Sequence, residues 1–186
     1  MALLLIIASY IFGSISVARI IGSIKGVNLA VQGTRNPGAT NVYKLVGPGW
    51  GILTGAFDFC KGVIPTIIAK EVLKYSYPVI ILVALSVIAG HNWSLFYGFD
   101  GGRGLATTLG TMGVIAFYPG ILAFIIGGAL SWFLTVKGKI EVRIPFLTYP
   151  LFTVFLIIYS QSIFLWLYGL SIMLLAYYRA WQVRDR

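Results

Sequence analysis

Three stretches of an otherwise apolar chain carry side chains suited to chemistry on anions. The first is Gly33-Thr34-Arg35-Asn36-Pro37-Gly38-Ala39-Thr40-Asn41, with two glycines, a proline, four small polar residues and an arginine in nine positions. Asn36 before Pro37 predicts a helix amino terminus there, because Asn caps free backbone N–H groups and Pro is tolerated at the first helical position. With Thr34, Asn36, Thr40 and Asn41 as donors, Gly38 opening the backbone and Arg35 as a fork, such a loop suits a phosphate monoester. The same composition also describes a capped connector rich in turn residues.

The second stretch is Phe99-Asp100-Gly101-Gly102-Arg103-Gly104-Leu105-Ala106-Thr107-Thr108. Gly101, Gly102 and Gly104 let backbone N–H groups converge on an anion without Cβ obstruction, and a helix starting after them points its positive end at the same place. A flexible turn is the plainer reading. The third group lies inside apolar segments: Asp58 and Lys61 sit three positions apart on one predicted helical face, and His91 follows Gly90. Ionisable groups within spans are costly and usually functional. The plainer alternatives are a Lys61 side chain snorkelling to the headgroups and a hydrogen-bonded packing role for His91.

The missing residues narrow the chemistry. One histidine and one cysteine, His91 and Cys60, make no zinc site, and no metal or cofactor is expected. The chain has neither a Walker phosphate loop nor a Gly-x-Ser-x-Gly elbow. A reaction suited to so few bases has an already activated donor, so that the protein mainly positions two anionic substrates and neutralises charge.

The elements that position these residues follow from hydropathy. Of 186 residues 59% are hydrophobic and 10% charged, which is far too apolar for one soluble core of this length. A crossing helix needs about 20 apolar residues. Residues 1–18 and 75–99 each suit one span, 45–69 another with Asp58 and Lys61 inside it. The uncharged runs 104–136 and 144–178 each suit a hairpin of two helices, broken at Tyr118-Pro119-Gly120 and at Tyr159-Ser160-Gln161-Ser162. The predicted fold is an all-α integral membrane protein of about seven transmembrane helices, residues 1–186 forming a single polytopic domain. No basic region precedes the first apolar stretch, so 1–21 reads as a retained helix instead of a cleaved signal.

The formal charge is +9, and its distribution matters more than its size. With the N-terminus outside and the C-terminus cytoplasmic, the inner side collects Arg19, Lys25, Arg35, Lys44, Arg103, Lys137, Lys139, Arg143, Arg179, Arg184 and Arg186. The outer side holds only Lys70 and Lys74, beside Glu71. That alternation is the positive-inside pattern, and it accounts for the basic excess without nucleic acid.

These motifs resemble the bacterial acyl-phosphate:glycerol-3-phosphate acyltransferases, the PlsY family. Residues 33–41 look like the family's Gly-Ser-Gly-Asn-x-Gly-Ala-Thr-Asn loop, Asp58-Phe59-Cys60-Lys61-Gly62 like its Asp-x-x-Lys-Gly segment, and 90–107 like its Gly-His to Gly-Gly-Lys-Gly-x-Ala-Thr segment. The resemblance implies seven spans, a cytoplasmic active site in the cell inner membrane, and acyl transfer from acyl phosphate to glycerol 3-phosphate giving lysophosphatidic acid. It implies phosphate-binding roles for Thr34, Arg35, Asn36, Gly38, Thr40, Asn41, Gly101, Gly102 and Gly104, with Arg103, His91 and Lys61 as the catalytic group and Asp58 orienting. The acyl-phosphate-producing acyltransferase, PlsX, is the implied partner.

The chain also departs from that pattern. Thr34-Arg35 replaces Ser-Gly, Asn28 and Ala30 stand where an upstream Asp and Arg are usual, and Arg103 replaces Lys. The family's tail, a His with Asn-Ile-x-Arg-Leu, has no clear counterpart in 178–184. Two other classes fit the composition. Gly- and Pro-interrupted hydrophobic segments with internal charges describe transporters or flippases of small anions or lipids. The spacings Gly22 to Gly26 and Gly51 to Gly55 fit a noncatalytic assembly partner, or equally helix packing within one chain.

Overall fold

The computed structural model describes residues 1–136 and 145–184, and all its regular secondary structure is helical. The cations expected at 137, 139, 143 and 186 (Lys137, Lys139, Arg143 and Arg186) lie outside the described residues. In chain order the helices are α1 (Ala2–Ser14), α2 (Val17–Ile24), α3 (Ala39–Leu45), α4 (Pro48–Ile67), α5 (Tyr77–Asn92), α6 (Leu105–Ile115), α7 (Phe117–Val136), α8 (Pro145–Tyr159) and α9 (Ile163–Gln182). A π turn, Ile68–Val72, prolongs α4, and a 3-10 turn, Leu95–Tyr97, follows α5.

Five stretches are long and apolar enough to cross a membrane: Ala2–Ile24, Pro48–Val72, Tyr77–Tyr97, Phe117–Val136 and Ile163–Gln182. The apolar helices α6 and α8 are shorter. This is an all-α, multi-pass integral membrane protein. Its outer faces carry exposed Ile52, Leu82, Ile125, Trp132 and Ile158, as expected where the solvent is hydrocarbon. Its interior joins Val83, Ala84, Ile88, Met112, Tyr149, Phe152 and Tyr168. Some of the polar atoms buried there find partners: the Tyr168 hydroxyl donates to Thr111 Oγ1 at 2.7 Å and Thr111 donates to Thr108 O at 2.8 Å.

Three helix boundaries differ from the sequence expectation. The first span is not one helix: it breaks at Ile15-Ser16, where Ser16 Oγ accepts from the Arg19 N–H at 3.3 Å and the Lys61 ammonium takes the Ile15 carbonyl at 3.1 Å. The break in 104–136 falls at Ala116, before Tyr118-Pro119-Gly120. Pro119 is the third residue of α7, where its missing N–H has no intrahelical partner to lose. The helix expected from Asn36-Pro37 starts at Ala39 with Gly38 as its cap and no side-chain cap bond. The break before α9 lies at Ser160–Ser162 as expected, with Trp166 Nε1 donating to Ser160 O at 2.8 Å.

Close approach between α1 and α5 depends on glycine. A Cβ at Gly90 would run into Tyr10 O, and one at Gly13 into Val87 O. The Gly51 spacing is likewise internal packing, since a Cβ there would strike Tyr43 of α3. Gly90→Val is expected to destabilise the detergent-solubilised protein by about 1–3 kcal/mol through overpacking. Gly128→Ala, where a Cβ meets nothing within 4 Å, is the control and should not lower the melting temperature. Equal losses at both positions would reject close α1–α5 contact as the reason for Gly90.

Candidate functional site

At the end of α5 the chain turns through 93–97 and enters the glycine loop before α6. The turn is anchored on α1: the Tyr10 hydroxyl donates to Trp93 O at 2.6 Å, Ser94 Oγ donates to Ser14 O at 2.6 Å, and the Leu95 N–H donates to Ser14 Oγ at 3.2 Å. Gly104 caps α6 in the left-handed region at φ +78°, and a Cβ there would lie 2.6 Å from Asn92 Oδ1. Both the backbone conformation and the space therefore call for glycine. Gly102 packs its α carbon on the His91 ring, where a Cβ would collide with Nε2, and the Gly102 N–H donates to His91 O at 3.0 Å.

The loop is clamped from two further helices. Arg179, buried in the last turn of α9, donates from Nε to Gly102 O at 3.1 Å and from Nη2 to Gly101 O at 2.7 Å and Asp100 Oδ1 at 2.9 Å. Arg19 of α2 donates from Nη2 to Asp100 Oδ2 at 2.7 Å and lies 4.8 Å from the Tyr97 ring centre. Sequence reasoning counted both arginines only as topology markers. Arg103 itself is half-buried within the loop.

Beneath the loop lies the charged cluster of the spans. Lys61 Nζ is 2.9 Å from Asp58 Oδ1, and His91 Nδ1 is 3.4 Å from the same oxygen. Lys61 is 1% exposed, so this ammonium is committed to Asp58 and the Ile15 carbonyl instead of lining an open pocket wall. The structure thus brings Asp58 and Lys61 of the second motif together with His91 and Gly102 of the third. Among the described residues, Asn92 Oδ1 and Thr107 Oγ1 are buried beside them without a hydrogen-bond partner.

The 33–41 loop is built around Asn41. Its Oδ1 accepts from the Thr34 N–H at 2.9 Å, and its Nδ2 donates to Leu29 O at 3.0 Å and Gln32 O at 2.9 Å. Asn41 is 1% exposed, so its amide folds the loop. Arg35 and Thr40 are exposed and Thr34 and Asn36 half-buried, with Gly38 buried at the start of α3. A Cβ at Gly55 would sit 3.4 Å from Ala39 Cβ, and Gly55 is three residues before Asp58. The exit of this loop therefore packs on α4 about one helical turn before Asp58. Two clefts lie near the glycine loop: one of about 340 Å³ between Arg19, Tyr97 and residues 26–30, the other of about 450 Å³ lined by Asp100 with Trp93, Phe99, Arg179, Trp181 and Arg184.

Fold and loop together define a multi-pass membrane protein with a glycine-rich, arginine-bearing loop at one end of its helices. The sequence matches the glycerol-3-phosphate acyltransferase family over residues 3–185, and the chain belongs to that family. Its relatives include glycerol-3-phosphate acyltransferases of Shouchella clausii (31% identical, 87% of this chain and 85% of that one), Aquifex aeolicus (40%, 66% and 63%) and Legionella pneumophila (37%, 72% and 46%). The match thus spans most of the first relative and less than two thirds of the other two. Crystal structures of PlsY, an integral membrane glycerol 3-phosphate acyltransferase, are similar in fold. The TM-score is 0.87 for its glycerol 3-phosphate form and 0.81 for its lysophosphatidic acid form, at 29% identity, covering 100% of this chain and 90% of that one. Family membership supports the acyltransferase reading over the transporter and assembly-partner readings.

Proposed function

We propose that residues 1–186 act as one membrane domain that transfers a fatty acyl group from acyl phosphate to the sn-1 hydroxyl of glycerol 3-phosphate. The observation that carries this reading is the clamped glycine loop with Arg103 at the start of α6, in a chain of this family. Loop N–H groups, the α6 terminus and Arg103 bind phosphate, and the 33–41 loop contributes Thr34, Arg35, Asn36, Gly38 and Thr40. The acceptor oxygen attacks the acyl carbon, the acyl–phosphate C–O bond breaks, and the departing phosphate takes the hydroxyl proton. The products are lysophosphatidic acid and inorganic phosphate, with positioning and charge neutralisation as the protein's share.

Lys61, His91 and Asp58 support this loop from below and Asn41 folds its neighbour; in this reading they position groups that touch substrate. The site faces the cytoplasm across the cell inner membrane, with the N-terminus outside, because the short loops on that side hold the cations. A donor made as acyl phosphate calls for PlsX as the supplying partner. The test is incubation of the purified protein in detergent with labelled glycerol 3-phosphate and acyl phosphate, with acyl-CoA and acyl carrier protein as competing donors. Labelled lysophosphatidic acid from acyl phosphate is expected. Uptake of label by proteoliposomes without any lipid product would overturn the reading in favour of transport.

A further inference from the structure

We propose that Arg179, through a three-point grip shared with Asp100, is the positioning residue that fixes the backbone orientation of the phosphate-binding 101–104 loop. The inference rests on the reading of that loop given above. Arg179 comes from α9, 77 positions or more along the chain from the groups it holds. Its guanidinium contacts the Gly102 carbonyl, the Gly101 carbonyl and the Asp100 carboxylate together, at 3.1, 2.7 and 2.9 Å, and it is 3% exposed. A planar fork with five donors can span three acceptors in fixed directions, which a lysine ammonium cannot.

The consequence for the loop follows from peptide geometry. The C=O and the following N–H of a trans peptide point opposite ways, and the chain has no cis peptide among the described residues. Drawing Gly101 O to Arg179 turns the Gly102 N–H to the other side, where it meets His91 O at 3.0 Å. That peptide is therefore pinned at both ends. Drawing Gly102 O to Arg179 likewise turns the Arg103 N–H away from α9. Two successive glycine peptides, which have the widest backbone freedom of any sequence, are thus held in one orientation. Asp100 completes the device because its second oxygen is held by Arg19 at 2.7 Å, so α2, the loop and α9 share one carboxylate.

This arrangement predicts an effect on substrate handling beyond any effect on folding. Arg179→Lys keeps the charge at the end of α9, where the helix dipole favours a cation, but loses the fork. It is expected to lower kcat/KM by about 10- to 100-fold, the scale of a mispositioned reactive group. The loss should show mainly as a raised KM for glycerol 3-phosphate, with the melting temperature close to wild type. Asp100→Asn should do the same less severely, and the double variant should be no worse than Arg179→Lys alone, since both act through one grip. Near-normal KM and kcat in Arg179→Lys would overturn the proposal, as would additive losses in the double variant. A parallel fall in melting temperature and active fraction with unchanged KM would overturn it in favour of a purely structural role. A wild-type protein that forms no lysophosphatidic acid would instead overturn the functional reading on which the proposal rests.

Discussion

Arg103→Ala is expected to lower kcat/KM for lysophosphatidic acid formation by about 10²- to 10³-fold, the loss typical of removing one strong donor to developing anionic charge. The expectation rests on where Arg103 stands. It lies between Gly102, pinned by Arg179 and His91, and Gly104, which caps α6 at φ +78°. In the proposed reading, a guanidinium there adds a full charge to the positive end of the α6 dipole. Arg103 is half-buried, so its truncation should leave the melting temperature within a degree or two, and the loss should appear in turnover. Arg103→Lys distinguishes charge from shape. It restores the residue that the PlsY resemblance supplies, so most activity should return if charge is what the site needs. Phosphate release measured alongside the labelled lipid product checks both variants. Turnover near wild type in Arg103→Ala would remove Arg103 from the chemistry.

The motifs that carry the site were readable because each is local. Gly33 to Asn41, Asp58 to Lys61 and Gly101 to Gly104 announce themselves as polar or glycine-rich breaks in a hydrophobic chain. That Asp58 meets His91 and Gly102 lies outside what the motifs tell, since nothing in their spacing fixes how α4 and α5 face each other. Arg179 was missed for a different reason. The tail lacks the His and Asn-Ile-x-Arg-Leu of the PlsY resemblance, and one arginine at the end of an apolar run looks like any cytoplasmic anchor. Its one signal is position: α9 is otherwise uncharged, and Arg179 lies one turn inside it, where a charge must find a partner. The first-span break was hidden by a similar tertiary effect. Where Ile15 leaves the helix, a lysine 46 residues away donates to its carbonyl, and an apolar run gives no notice of that. Asn41 shows the limit of composition. It was counted among the ligand donors, yet its amide spends all three of its bonds within the 29–41 segment.

The Asp58–Lys61 pair sets the second large effect, this time on stability. Asp58→Leu should destabilise the protein by about 3–5 kcal/mol, because it strands the Lys61 ammonium at 1% exposure among helices α1, α4 and α5. Lys61→Met should cost a comparable amount, leaving the Asp58 carboxylate with His91 alone and the Ile15 carbonyl without its donor. The double replacement removes both charges, so it should recover much of the loss, as apolar substitutes for buried ion pairs often do. Recovery will be incomplete, because the Ile15 carbonyl at the α1–α2 break stays unpaired. Thermal melts of the four proteins in one detergent form the cycle, and independent, additive losses would mean the pair is not a unit. Activity should separate from stability in the double variant. The restored fold would still lack the Asp58 contact that steadies the His91 ring under Gly102, so turnover should stay depressed while the melting temperature returns. A double variant with wild-type turnover would show that the glycine loop is held without the Asp58 contact to the His91 ring.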